Sequence, residues 1–383
     1  MCITNKVGPP VEGEDFYGRV REIRAANKLL NSNQSLLLSA PRRIGKSSFA
    51  KRMLSEKKTE GWNCAYIDLE ETTTEDGFLK LLADAFEKHK IWKQVSGDLD
   101  AFLSRVEKVK VGPVGVDLGR REVEEDLYKS AKRLIRHDKD TLIVIDELTL
   151  FLGRLYRSEE SVDKVTYILN WLRSIRQVSH TKVRWMFCGS VGLRNFTLNL
   201  NLGYAINDLT ELSLDELTHD EAKGLLSLLC QSEHMEISDD VIAYTLDKIY
   251  WNIPYFIQVI FSKLSLFYDG KVTTADVDKA YERLCSENYL STWSERLSEY
   301  QLLEMPARRL LKALAHTRQG LSRESMLNIL MTGQDSSMIE EMDALLSKVL
   351  HMLENDGYLM KKDGLRTFRS PLLREYWYNN FVE

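Results

Sequence analysis

The chain has 383 residues, enough for two to three domains and for a core that folds without disulfide or metal staples. Apolar residues make up 44% and charged residues 28%, which excludes a disordered or fibrous chain. With 52 Lys and Arg against 57 Asp and Glu, the formal net charge is −5, so a broad basic surface that coats nucleic acid is excluded and any such contact is local. The cysteines Cys2, Cys64, Cys188, Cys230 and Cys285 are scattered, without a Cys-x-x-Cys pair or a Cys/His cluster. Neither a disulfide framework nor a structural zinc is expected, and a reducing cytoplasm is the expected compartment. The first residues lack the apolar core of a signal peptide, and no apolar run reaches the roughly 18 residues of a membrane span. Ile253–Phe267, interrupted by Gln258 and Lys263, reads as a buried helix.

In chain order, Gln34–Ser39 is a strand, and a turn leads to a helix over Lys46–Glu56. Asn63–Leu69 is a second strand, followed by a helix over Glu75–Lys90. Thr141–Leu148 is a third, followed by a helix over Ser161–Val178, and Lys182–Ser190 is a fourth. Nearly continuous apolar strands alternating with helices predict an α/β fold whose parallel sheet is covered on both faces. Val106–Gly119 alternates at period two around Gly112-Pro113 and predicts a small inserted hairpin. After about Leu212 the pattern is helical. Thr218 with Glu221 forms a capping box, Ser238 opens the next helix, and Pro254 starts another. From about Pro306, three helices precede a basic turn over Lys361–Arg366 and a strand over Thr367–Arg369, the winged-helix pattern. The expected domains are 1–211, 212–300 and 301–383.

Ser39–Ser48 reads SAPRRIGKSS, with Gly45-Lys46-Ser47 between a strand and a helix, the context of a P-loop. Backbone N–H groups over Ala40, Pro41, Arg42, Arg43, Ile44, Gly45, Lys46, Ser47 and Ser48 would cradle phosphates, except at Pro41, which has none. Lys46 would reach the β- and γ-phosphates of ATP, and the Ser47 hydroxyl would hold Mg²⁺. Ala40 stands where the motif has its first glycine, and a plain basic turn is the alternative. Leu142–Glu147 (LIVIDE) is an apolar strand ending in two carboxylates. In a parallel sheet, ligands sit at the carboxyl ends of strands. Asp146 would hold Mg²⁺ and Glu147 would orient and deprotonate the attacking water; the alternative is an acidic strand end in solvent. Ser190, at the end of the fourth strand, is a candidate γ-phosphate sensor or a helix N-cap. Arg194 is a candidate phosphate ligand or a solvated helix arginine.

These motifs resemble the archaeal-type P-loop ATPases of the AAA+/STAND class, a group also widespread in bacteria. Phe16-Tyr17-Gly18-Arg19-Val20-Arg21-Glu22 is similar to the family's F-x-G-R-x-x-E box, and Ala40–Ser47 to its G-P-R-R-x-G-K-T/S loop. Leu214–Ala222 resembles the junction to its helical lid, Ile253–Gln258 its lid motif, and Phe368–Trp377 its closing stretch. Trp251-Asn252 stands where the family prefers glycines. The resemblance implies a nucleotide domain, a helical lid and a winged helix. It places Phe16, Tyr17 and Arg19 near the adenine and Pro254 over it from the lid; core packing is the alternative for Phe16 and Tyr17. It implies a slow ATPase acting as a nucleotide-dependent switch or assembly factor, with a protein partner or further copies of the chain. It also allows the ATPase half of a two-gene bacterial defence or toxin system. The alternative is a DNA-associated loader. Residues 306–383 carry 11 Lys and Arg against 10 Asp and Glu, and the expected recognition helix is acidic, with Glu340, Glu341, Asp343 and Glu354. DNA contact would therefore rest on Lys361, Lys362, Arg366 and Arg369 of the wing, and docking on protein is favoured.

Overall fold

A computed structural model of the protein describes residues 3–92, 104, 127–159, 162–189, 192–268, 270–286 and 288–382. The hairpin expected over Val106–Gly119 and the sensor expected at Ser190 lie outside them. The chain divides into a sheet unit, Val20–Ser39 with Lys46–Leu214, and a helical unit, Met1–Arg19 with Ala40–Gly45 and Asp215–Glu383.

In the sheet unit, β1 (Leu36–Ser39), β2 (Asn63–Asp68), β3 (Thr141–Asp146), β4 (Val183–Phe187) and β5 (Thr210–Ser213) run in the order β2-β3-β4-β1-β5. Every neighbouring pair is parallel. The helices are α1 (Val20–Asn31), α2 (Lys46–Thr59), α3 (Glu75–Lys88), α4 (Leu148–Glu159), α5 (Val162–Arg176) and α6 (Leu193–Asn199). This is the α/β parallel-sheet class that the apolar runs predict. Leu142, Ile143, Val144 and Ile145 of β3 are wholly buried, which is why the strand shows no alternation. Burying each such side chain contributes about 1.5–3 kcal/mol. Phe78 of α3 stacks on Phe151 of α4 at 5.3 Å and meets Trp171 of α5 edge-on at 6.3 Å, locking three helices over the sheet.

The amino-terminal edge of the sheet is closed by charge. Arg184 of β4 is buried, donates from Nη1 to Asp140 Oδ1 at 2.6 Å and from Nε to the Leu30 carbonyl at 3.1 Å, and lies over the Trp62 ring at 4.4 Å. The carboxyl edge carries Asp146, where a parallel sheet places its ligands.

The helical unit contains α7 (His219–Ser232), α8 (Asp239–Ile249), α9 (Pro254–Phe267), α10 (Thr274–Ser286), α11 (Ser291–Arg296), α12 (Glu304–Ala315), α13 (Arg323–Met331) and α14 (Ile339–Asn355). An antiparallel ribbon of β6 (Leu359–Lys362) and β7 (Leu365–Phe368) follows, then α15 (Pro371–Phe381). The Thr218–Glu221 capping box opens α7, whereas Ser238 sits at the start of α8 without a side-chain capping bond. As its composition predicts, α9 is largely buried, Gln258 and Lys263 included, but only as far as Leu264; Leu266 and Phe267 in its last turn are exposed. A chain of aromatic rings forms this unit's core. Trp251 meets Trp293 at 6.0 Å, Trp293 meets Tyr358 at 5.1 Å, and Tyr358 meets Trp377 at 5.9 Å. All four are fully buried. Among the described residues, no helix is long and apolar enough to cross a membrane.

Gly357 joins α14 to β6 with φ +85°, and a Cβ there would stand 2.5 Å from the Trp251 ring and 2.9 Å from Pro41. Gly357→Ala adds a left-handed penalty of about 1–2 kcal/mol to overpacking of about 1–3 kcal/mol. Urea denaturation followed by circular dichroism should show an earlier midpoint; an unchanged midpoint would contradict this packing.

Candidate functional site

Six residues, Ala40–Gly45, connect β1 to α2 and cluster with the helical unit. Two of them are left-handed, Arg43 at φ 64° and Gly45 at φ 101°. A Cβ on Gly45 would meet no protein atom within 4 Å, so among the protein's own groups it is the φ that calls for glycine. Arg43 accepts that conformation at a cost of about 1–2 kcal/mol. Contacts offset it: the guanidinium lies over the Tyr255 ring at 4.6 Å and Nη1 donates to the Gly8 carbonyl at 3.2 Å. Arg42 Nη1 donates to the Thr292 carbonyl at 2.6 Å. The Ile44 carbonyl accepts from Arg19 Nη2 at 3.1 Å.

Arg19 is itself buried and built in. Its Nη1 donates to the Asp215 carbonyl, and its main-chain N–H donates to Glu221 Oε1 at 3.0 Å. Glu221 Oε2 accepts from the Thr218 N–H and hydroxyl, each at 3.0 Å. The Phe16–Arg19 box and the Leu214–Ala222 junction, far apart in sequence, thus form one hydrogen-bonded structure. Phe16 and Tyr17 are half-buried; the Tyr17 hydroxyl lies against Gly224, and burial together with the Glu221 charge pushes its phenol up. Pro254 occupies the first turn of α9, where its missing N–H is harmless. Arg43 Nε, Thr292 Oγ1 and Asn252 Oδ1 are buried polar atoms without a protein partner.

In the sheet unit, Lys46 is the first residue of α2 and is buried; Ser47 and Ser48 follow it, partly exposed. Asp146 ends β3 and is only 3% exposed. Its Oδ2 accepts from the Tyr66 hydroxyl at 2.6 Å and its Oδ1 from the Glu147 N–H at 3.0 Å. Glu147 turns the chain sharply into α4 with φ 54°, a left-handed position that a non-glycine residue holds only under constraint. Cys188, just after β4, lies within the field of the candidate groups. Burial first, then Asp146 and Glu147, push its thiol well above the usual range, and Lys46 opposes them. Asp68, paired in register with Asp146, has its carboxyl pushed up by burial first and by the Asp146 and Glu147 charges, against Lys51 and a hydrogen bond from the Glu70 N–H. Arg194, on α6, is about half exposed and pairs with Glu211 of β5 at 3.1 Å.

Among the described residues, no three His, Cys, Asp or Glu side chains converge as a metal cage. Among the oxygen donors at the carboxyl edge, the Ser47 hydroxyl and the Asp146 carboxylate could hold Mg²⁺, which keeps water and phosphate oxygens as its other ligands. The sequence reading missed Tyr66. The available signal was spacing, since period two puts Tyr66 and Asp68 of β2 on one face beside the acidic strand end.

Residues 30–196 match the family model described as an AAA domain. No curated protein matches the chain in sequence. The Walker-type ATPase PABY2304 of Pyrococcus abyssi is 17% identical with a TM-score of 0.66, over 97% of this chain and 99% of that one, a likeness of fold. The RuvB Holliday-junction branch-migration motor of Thermotoga maritima is 14% identical over 94% of each chain, with a TM-score of 0.45. The ORC1 protein of Aeropyrum pernix, in complex with DNA, is 15% identical over 97% of this chain and 94% of that one, with a TM-score of 0.44. Neither of these two is similar enough to bear on the chemistry of this chain. The protein carries an AAA-like P-loop domain on a parallel five-stranded sheet.

Arg19→Ala would strand the buried carbonyl of Ile44, at about 1–3 kcal/mol, whereas the carbonyl of the exposed Asp215 can turn to water. Chemical denaturation should show a loss of about 1–3 kcal/mol. Arg19→Lys should not restore it, because one ammonium cannot reproduce the two-armed fork. A wild-type midpoint in either variant would contradict this assignment.

Proposed function

We propose that the protein binds ATP with Mg²⁺ at Ala40–Ser48 and hydrolyses it slowly, using the bound state as a switch or assembly signal. The observation that carries this reading is positional: Lys46 opens α2 after the loop that leaves β1, and β3 of the same parallel sheet ends on Asp146, followed by Glu147. The residues present fit the ligands. The alternating left-handed positions at Arg43 and Gly45 form an N–H nest suited to phosphate, and the space over Gly45 is clear of protein atoms. Lys46 sets a cation against the β- and γ-phosphates. Ser47 and Asp146 would hold Mg²⁺, which when bound neutralises charge on the phosphates. Glu147 accepts a proton from the attacking water, and its constrained turn fixes where that carboxylate starts. Arg19, Arg42 and Arg43 shape the loop from behind. Tyr17, Phe16 and Pro254 are assigned to the adenine by the family resemblance alone; Ser190 and Arg194 are candidates for the γ-phosphate by their place after the fourth strand, and Arg194 pairs with Glu211.

We assign α12–α14 with the β6–β7 ribbon to a winged helix that docks on protein, in a partner or in further copies of the chain. The charges of the wing support that choice. Arg366 pairs with Glu354 at 3.1 Å, Arg369 lies over the Trp251 ring at 5.1 Å and Lys362 over the Tyr250 ring at 5.9 Å, so three of its four cations are engaged within the unit. Lys361 and Lys362 are exposed.

Glu147→Gln keeps the shape and removes the base. ATP binding should survive while hydrolysis falls about 10²- to 10⁴-fold, the worth of a positioned general base. Lys46→Ala should abolish binding measured by calorimetry. Wild-type turnover in Glu147→Gln would reduce that residue to a surface carboxylate, and unchanged affinity in Lys46→Ala would end the P-loop assignment. A double reversal, Lys361→Glu with Lys362→Glu, should leave any DNA affinity unchanged across a salt titration. Loss of a steeply salt-dependent affinity would favour the DNA loader instead.

A further inference from the structure

Tyr66 is a polar group at the carboxyl edge to which the proposed chemistry gives no role. It lies on β2, and the parallel register pairs Tyr66 with Val144 and Asp68 with Asp146. Tyr66 therefore stands diagonally across from Asp146 on the same face of the sheet, two residues short of it. Its hydroxyl donates to Asp146 Oδ2 at 2.6 Å, a short, charge-assisted contact. The Glu147 N–H takes the other oxygen at 3.0 Å. The carboxylate is thus held at both oxygens, and its plane is fixed before any ligand arrives. The strand neighbours do not duplicate the contact: Asp68 turns an oxygen to the Glu70 N–H at 2.9 Å. The ring of Tyr66 is steadied from outside by the Lys51 ammonium, 5.4 Å from its centroid.

The geometry points to Tyr66 as a positioning residue for the metal-holding carboxylate, orienting Asp146 so that its remaining lone pairs face the ion. This rests on the proposal that Asp146 holds Mg²⁺. A phenylalanine would fill the same space between the strands, so the hydroxyl is what the role requires. Hydrogen-bond partners behind a metal ligand typically carry a 10- to 100-fold effect on metal affinity.

The test uses the full chain with ADP, and Mn²⁺ as a paramagnetic stand-in for Mg²⁺. Tyr66→Phe should weaken Mn²⁺ binding about 10- to 100-fold by electron paramagnetic resonance and change the bound-ion spectrum. ADP affinity in EDTA and the melting temperature should stay at the wild-type values, which separates orientation of Asp146 from general loosening. In an Asp146→Asn background, adding Tyr66→Phe should cause no further loss, because the tyrosine acts through that carboxylate. A wild-type Mn²⁺ isotherm in Tyr66→Phe, or additive losses in the double variant, would overturn the role of Tyr66 alone. If Asp146→Asn by itself left Mn²⁺ binding intact, the metal assignment would fail and Tyr66 with it.

Discussion

Six consecutive residues must hold one shape between β1 and α2, and little in their own chemistry makes them do so. Ordering a backbone residue costs about 1–2 kcal/mol, and the left-handed Arg43 adds to the sum. Arginines offset this cost. Arg19 grips the carbonyl of Ile44, Arg42 reaches the carbonyl of Thr292, and Arg43 lies on Tyr255. Each guanidinium meets a main-chain oxygen or a ring face, so positive charge is spent on geometry. Lys46 stands apart from them at the first turn of α2, where the helix N-terminus adds to its field.

The two edges of the sheet are built on opposite principles. At the amino edge, Arg184 is matched by Asp140, a carbonyl and a ring, an arrangement suited to stability. At the carboxyl edge, the like charges of Asp146 and Glu147 act on buried Cys188 and on the Asp68 carboxyl. Such crowding is unfavourable by itself, and the left-handed turn at Glu147 adds strain. Tyr66 and the Glu147 N–H relieve part of it by solvating Asp146 from within the protein.

Much of this was legible in the residues. The strands over Leu36–Ser39 and Thr141–Asp146 follow from unbroken apolar runs, because a strand covered on both faces leaves no polar side to mark. The place of Asp146-Glu147 at the carboxyl end of β3 followed from its position after such a run. β5 was not legible: Thr-Glu-Leu-Ser carries one buried apolar side chain, and an edge strand needs no more. α1 was missed because few of its residues are buried, Ala26 and Leu30 among them. The bonds from Arg19 to Asp215 and Glu221 span about two hundred residues, and no local pattern encodes a contact of that range. Tyr66 was hidden for another reason. A tyrosine in an apolar strand reads as core, and only the register with β3 turns its hydroxyl into a partner for Asp146.

The anchoring of Ala40–Gly45 bears on how such a chain can be cut and recombined. A gene fragment ending at Leu214 would encode all five strands of the sheet and Lys46, yet it would lack Thr292, Tyr255 and Asp215, on which Arg42, Arg43 and Arg19 rest. The loop would keep its bonds from Arg19 to Ile44 and from Arg43 to Gly8 and lose the rest of this support. A chimera that joined this sheet to a foreign helical half would need to supply a carbonyl for Arg42 and a ring for Arg43 at the same positions. Crossover after β5 therefore does not yield exchangeable modules. The two halves of the gene are expected to change in step, with a substitution at Tyr255 answered by one at Arg43.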